Sequence, residues 1–378
     1  MNTMLPALPK TLGRLSDIFI SSLGSITGDD NRLGLKPQKR VCTILVDGLG
    51  AQNLSNAGGH AKFLNKAQVA TPKMTCGFPS TTVASITSFA TGLQPGQHGL
   101  VGYQVKNPKT QTIENLLTGW GPNMDPLEWQ PHETVSQMAV RRGVSSFVIG
   151  PQEYKGSGFT MATMRDAQYL SAKSISERFE QADEILNKSD DALVYLYVPE
   201  LDQIAHSRGT TSSAWLAKLE ELDSACQASA KRISKNASIY LTADHGIIDV
   251  AANKHIYLDE LDHLLLGLEA VGGDPRVNYL YFDISVESEL PRIATELQAA
   301  LGNAVVIARR QDLISAGWFG TTVTDSALER LPELFVIALA QVAIYHRRFA
   351  KPKSLQMIGQ HGSVSSAELA IPFLNLGI

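Results

Sequence analysis

The sequence predicts an α/β fold: a mainly parallel sheet sandwiched by helices, with a smaller inserted α+β cap lobe. Three observations lead there. Short continuous apolar runs, the clearest closing on Asp-Gly or Asp-His-Gly, alternate with helical stretches along residues 41–246. That alternation marks strands buried on both faces and joined by crossovers. Residues 212–233 carry Trp215, Leu216, Leu219, Leu222, Cys226 and Ile233 at three- or four-residue steps, one stripe of a helix lying on a sheet. Residues 251–350 then read differently, as a separate mixture of strands and one helix.

In chain order, residues 1–38 read as a leading arm with a helix expected over 9–23. VCTILVDGLG (41–50) is an apolar run ending in Asp-Gly, a strand with its turn at the carboxyl end. FPSTTVASITSFATG (78–92) reads as a turn, a helix and a Gly stop at Gly92. SSFVIG (145–150), ALVYLYVPELD (192–202) and ASIYLTADHG (237–246) supply further strands. In the lobe, 276–284, 303–310 and 331–339 read as strands and 290–301 as a helix. The expected division is a core of 39–250 and 351–378, interrupted by the lobe at 251–350.

The composition narrows the function. At 378 residues and 44% apolar, the chain buries a sizeable core and is not disordered. The net charge of -4 gives no basic excess for nucleic acid, and no stripe of basic and aromatic residues marks a nucleic-acid module. Three scattered cysteines, Cys42, Cys76 and Cys226, point to a reducing compartment. No signal peptide is legible, and no apolar run reaches the ~18 residues of a membrane span. The expected location is cytoplasmic.

Acidic and histidine side chains close several of the strands. Asp47 ends the first run, Asp202 follows VYLYV, and Asp244-His245 end SIYLTADHG. Open α/β sheets bind ligands at the carboxyl ends of their strands, so three strands are expected to deliver carboxylates to one edge. A helix opening at Pro199 puts Asp202 and His206 on one face. His361 lies between glycines in MIGQHGSVS (357–365). Each has a plainer reading: a surface ion pair, a turn-capping Asp, a loop histidine. Together Asp47, Asp202, His206, Asp244, His245 and His361 are three carboxylates and three imidazoles, the inventory of two Zn²⁺ ions, with Mn²⁺ or Fe²⁺ as alternatives. Two such metals stabilise the entering and departing oxygens of a phosphoryl displacement. For a nucleophile, Ser80, Thr81 and Thr82 stand at a helix start, where the dipole favours an alkoxide. The plainer reading there is an N-cap.

Taken in order, VDGLG (46–50), FPSTTVASITSFATGLQPGQHGLVGY (78–103), DQIAH (202–206), TADHG (242–246) and GQHG (359–362) resemble the alkaline phosphatase superfamily, and within it the type I phosphodiesterase/nucleotide pyrophosphatase family. The resemblance implies an alkaline-phosphatase-like fold. It also implies Thr82 as nucleophile, counted back from Thr91 of TGLQPGQHG. It assigns Asp202, His206 and His361 to one zinc, and Asp47, Asp244, His245 and the Thr82 oxygen to the other. The implied chemistry is in-line attack by Thr82, a phosphoryl- or nucleotidyl-threonine intermediate, and its hydrolysis. The chain departs from the family pattern at Val83, Ser85 and Ala205, two of them beside the nucleophile and expected to line the substrate. Trp120, Trp129 and Tyr154 are candidates for an apolar substrate wall.

The expected function is a two-zinc phosphodiesterase or nucleotide pyrophosphatase acting on a small phosphate ester or nucleotide. A phosphomonoesterase or phosphonate hydrolase of the same superfamily is the alternative, and a non-catalytic metal-binding protein is the reading from another class. Oligomeric state is not legible.

Overall fold

The computed structural model describes residues 13–70 and 73–377. Leu15–Thr27 forms α1, Arg40–Val46 β1, Gln68–Val69 β2, Thr82–Thr91 α2, Ser145–Gly150 β3 and Gln168–Ser171 β4. Ile175–Lys188 forms α3, Ala192–Val198 β5, Glu200–Arg208 α4, Ser213–Ala230 α5 and Ala237–Thr242 β6. Then come Leu268–Asp274 (β7), Val277–Phe282 (β8), Leu290–Leu301 (α6), Val305–Arg309 (β9), Leu334–Ala338 (β10) and Phe373–Asn375 (β11).

The main sheet has seven strands in the order β2–β11–β6–β1–β5–β3–β4. β6, β1, β5, β3 and β4 run parallel. β11 and β2 close one side antiparallel. Helices cover both faces of the parallel strands, which is why β1 and β6 are apolar without alternation. α1 belongs to this core. Its Phe19 stacks on Phe89 of α2 at 4.5 Å, and Phe89 meets Tyr195 of β5 at 5.3 Å. Of the helix expected over 9–23, residues 9–12 lie outside the described residues, and within the 1–38 segment α1 is largely buried while residues 28–38 are mostly at the surface. α5 buries Trp215, Leu219, Leu222 and Cys226, as its stripe requires, and stops before Ile233.

The second sheet, β7–β8–β10–β9, is antiparallel throughout. Strand alternation sends successive side chains to opposite faces. On β8, Val277, Tyr279 and Tyr281 join the main core. Leu280 and Phe282 face the other way, into a second core with Ile293 and Leu297 of α6. The small sheet therefore lies flat against the main body, each buried large side chain stabilising that contact by about 1.5–3 kcal/mol. Polar anchors fix it further. Tyr279 Oη donates to the Val101 carbonyl at 2.6 Å. Buried Arg276 pairs with buried Glu368 at 2.8 Å. Among the described residues, no helix is long and apolar enough to cross a membrane.

Candidate functional site

β6, β1 and β5 are neighbours at the centre of the parallel sheet, so their carboxyl ends lie side by side. Asp47 directly follows β1, and its N–H donates to the Val198 carbonyl at the end of β5. Asp244 and His245 stand just past β6, and Asp202 stands on the first turn of α4. Gly48 makes the tight exit after β1. Its φ is +71°, and a Cβ there would come within 2.4 Å of Ile247. Its N–H donates to Asp244 Oδ1 at 3.1 Å. His361 follows a short antiparallel pairing of Ile248–Asp249 with Gly359–Gln360, which draws the C-terminal segment to the same edge. Thr82 is the first residue of α2, where the helix N-terminus is electropositive.

These side chains form two overlapping groups of candidate ligands: Asp47, Asp244 and His245, and Asp202, His245 and His361, with ligand atoms within 4.8 Å of one another in each. His245 Nε2 is 3.4 Å from Asp47 Oδ1 and 3.5 Å from Asp244 Oδ2. The Thr82 hydroxyl lies 3.2 Å from the same nitrogen. His206 Nε2 is 3.2 Å from Asp202 Oδ2, and His361 Nε2 is 3.9 Å from Asp202 Oδ1. The His245 and His361 rings stack at 3.8 Å. Thus all six candidate ligands and Thr82 lie together, although His245 sits between the two groups instead of in one alone.

Each carboxylate has one oxygen anchored and one free. Asp244 Oδ1 accepts from Gly48 and His245 N–H, and Asp47 Oδ2 accepts from the Tyr197 hydroxyl. Asp202 Oδ2 faces His206. The other oxygens (Asp47 Oδ1, Asp202 Oδ1 and Asp244 Oδ2) are buried and receive no donor among the described residues. Two imidazoles are oriented in the same way. The Nδ1 of His206 lies 2.8 Å from the Gly359 carbonyl and that of His361 lies 3.0 Å from the Ser80 carbonyl. Donation there orients each ring and turns Nε2 inward, toward Asp202.

The electrostatics point the same way. Burial, then the charges of Asp244 and Asp202, push the Asp47 carboxyl well above the usual range, against the pull of the Tyr197 hydroxyl. Burial lifts Asp244 to about 7, and the Asp202 charge adds to it. For Asp202 burial acts upward too, but the His206 charge outweighs it and the carboxyl is lowered. His206 is correspondingly raised to about 9, Asp202 overcoming the burial that acts against it. Burial drives His245 down to about 3 and His361 well below its ordinary value. Buried carboxylate oxygens without donors, facing neutral imidazole nitrogens, match the donor chemistry of divalent cations with mixed nitrogen and oxygen ligation. The residues fit the metals that the sequence pattern implies.

A cavity of about 280 Å³ opens beside this cluster, lined by Thr82, Asp202, His206 and His361 together with Tyr103 and Asp274. None of the five residues expected to touch substrate lines it. Val83 is fully buried in the main core, and Ser85 is buried on the same helix, because α2 is enclosed on every side. Trp129 is buried under the Arg330 guanidinium, 4.1 Å from its ring, and Trp120 packs edge-on against it at 6.2 Å. Both tryptophans are packing residues. Tyr154 lies outside the lining as well, its ring 5.9 Å from that of Tyr197, whose hydroxyl holds Asp47. Tyr197 and the lobe residues Asp274 and Asn278 were not singled out in the sequence. Tyr197 reads as one more strand residue, and nothing local sets the lobe pair apart.

Known proteins share the sequence pattern and the fold. A profile of the family described as type I phosphodiesterase / nucleotide pyrophosphatase matches residues 41–364. An uncharacterized pyrophosphatase/phosphodiesterase of Schizosaccharomyces pombe is 26% identical over 239 residues, covering 60% of this chain and 48% of that protein. The chain thus spans about half the length of this curated relative. Murine ectonucleotide pyrophosphatase/phosphodiesterase 5 superposes with a TM-score of 0.68 at 17% identity, over 90% of this chain and 88% of that one. The human protein of the same name gives 0.66 at 17% identity, over 89% and 88%. The chain shares its α/β fold, with a mixed, mostly parallel sheet, with these two solved structures, and it belongs to the type I phosphodiesterase/nucleotide pyrophosphatase family.

Proposed function

We propose that the protein is a two-metal phosphodiesterase or nucleotide pyrophosphatase with Thr82 as nucleophile, acting on a small phosphate ester or nucleotide. One observation carries the reading: the Thr82 hydroxyl lies 3.2 Å from His245 Nε2, beside buried carboxylate oxygens that lack donors. In this reading Asp47, Asp244 and His245 hold one ion and Asp202, His206 and His361 the other. Zinc suits the mixed donors best, and manganese or iron(II) fits the same set. When bound, the metals supply Lewis-acid charge to the phosphoryl oxygens.

The chain's own residues do the rest. The N-terminus of α2 holds Thr82 in a positive field that lowers the cost of its alkoxide. Thr82 Oγ1 bonds to phosphorus as the P–O bond to the departing alcohol breaks. The hydroxyl proton passes to solvent, and the departing alkoxide regains one there. Water then attacks phosphorus and frees Thr82. Carbonyls of Gly359 and Ser80 keep the His206 and His361 rings from turning. The lobe at 251–350, with a core of its own, belongs in this proposal as the wall over the cavity. Three buried cysteines, none in a disulfide, support a reducing, cytoplasmic setting.

The test is Thr82→Ala. It should lower turnover of bis-p-nitrophenyl phosphate by roughly 10³-fold or more while bound metal, measured by elemental analysis, stays near the wild-type content. Unchanged turnover would reject the mechanism. Metal content without activity on any ester of a broad panel would favour a metal-binding protein.

A further inference from the structure

Two buried acceptor oxygens at the cavity have nothing to accept from. Asn278 on β8 is 4% exposed and lines the cavity. Its amide N–H groups are committed to the carbonyls of Asp274 at 2.8 Å and Ile344 at 3.1 Å. That fixes the orientation of the amide, and its Oδ1 is left without a donor among the described residues. Asp274, the last residue of β7, lines the same cavity, and its shielded Oδ2 also lacks a donor. Side-chain acceptors buried in this way are a costly defect unless a ligand supplies the hydrogen.

The fold holds this pair firmly. Gly273 has φ +77°, and a Cβ there would lie 2.1 Å from the Val277 carbonyl oxygen, so the hairpin closes only around glycine. Arg276, next in the hairpin, is bonded to Glu368. The hairpin is thereby fastened to the segment carrying His361. A Cβ on Gly362, the neighbour of His361, would come within 3.1 Å of the Asp274 Cβ. Burial lifts the Asp274 carboxyl to about 7, with the His206 charge pulling it down and the Asp202 charge adding to the rise. Asp274 therefore stands beside Gly362 and His361, while the Thr82 hydroxyl is held 3.2 Å from His245 Nε2. In an in-line displacement the departing group lies opposite the entering oxygen. The cavity that Thr82 borders is walled on the lobe side by Asp274 and Asn278.

We propose that this wall is a leaving-group subsite selective for hydroxylated alcohols, whose hydroxyls donate to Asp274 Oδ2 and Asn278 Oδ1. It deepens the phosphodiesterase reading and rests on it. The acceptors belong to the lobe, so the lobe sets which alcohol departs while the main sheet supplies the chemistry.

The probe is glyceryl methyl phosphate, a diester with two different exits. Breaking the P–O bond to glycerol yields glycerol and methyl phosphate, whereas breaking the other yields methanol and glycerol phosphate. Product ratio is read by chromatography, independently of total rate. The wild type should favour glycerol departure by roughly tenfold or more. Asp274→Ala and Asn278→Leu should each bring the ratio close to one, and Asp274→Asn, which keeps one acceptor oxygen, should retain part of the preference. Circular dichroism melts verify that the variants fold. A wild type that cleaves bis-p-nitrophenyl phosphate but shows no preference, or a preference that survives in both variants, overturns the subsite and leaves the hydrolase reading standing. A stronger preference for ethanolamine departure from ethanolamine methyl phosphate, abolished in Asp274→Asn, overturns the hydroxyl class in favour of an ammonium. If the wild type cleaves no diester, both readings fall together.

Discussion

Arg276 and Glu368 fasten the lobe to the metal side of the core, and removing one partner should be severe. Both side chains are fully buried. Arg276 donates to Glu368 through Nε at 3.1 Å and Nη2 at 2.8 Å. Its Nη1 donates to the carbonyls of Ala340 at 2.5 Å and Val342 at 2.6 Å. In Arg276→Met the Glu368 carboxylate keeps only the Ser363 N–H at 3.0 Å and the Ser365 hydroxyl at 2.6 Å. Breaking a buried pair from one side costs about 3–5 kcal/mol, and the two bereft carbonyls add to that. Against a total stability of about 5–15 kcal/mol, this is a large share. Urea unfolding followed by fluorescence should show the midpoint falling by about 1 M or more, taking a slope near 3 kcal/mol/M. Arg276→Met/Glu368→Leu removes the unpaired charge as well and should recover much of the loss. A loss under about 1 kcal/mol in Arg276→Met, or a double variant no more stable than the single, would refute the reasoning.

Further outcomes follow from the site. Tyr197→Phe removes the hydroxyl that anchors Asp47 Oδ2; by analogy with other supporting hydrogen bonds, metal affinity in a chelator competition should weaken about 10- to 100-fold, and an unchanged affinity would deny Tyr197 a positioning role. The metal-free protein should lose stability as pH rises from 7 to 9. Here folding raises His206 from its ordinary value of 6.5 to about 9, so the native state keeps a proton that the unfolded chain has released. Its contribution is full below about 6.5 and gone above about 9, with a slope of at most about 1.4 kcal/mol per pH unit. Thermal melts in chelator across that window test it, and an equal slope in His206→Gln would assign the effect elsewhere.

Much of the site is legible along the chain because its residues sit at the ends of local patterns. Asp47, Asp244 and His245 each follow an apolar strand, and His206 falls one helical turn after Asp202. Strand identity and the place of these side chains at strand carboxyl ends follow from hydrophobic periodicity, and the rule that ligands meet there makes their convergence an expectation. That information is carried by neighbours in sequence.

What only the tertiary structure decided is carried by neighbours in space. Val83 follows the proposed nucleophile directly, yet α2 is enclosed on all sides and Val83 is in the core. Trp120 and Trp129 pack on each other rather than on the cavity. Tyr197 meets Asp47 across two adjacent strands, 150 residues apart in the chain. Asp274 and Asn278 reach the cavity because a sheet far along the chain lies flat against the first, with alternate residues of β8 turned to each side. Periodicity sets which face of an element is buried, but which distant side chains come to share a pocket depends on how separate elements pack, and no local pattern encodes that.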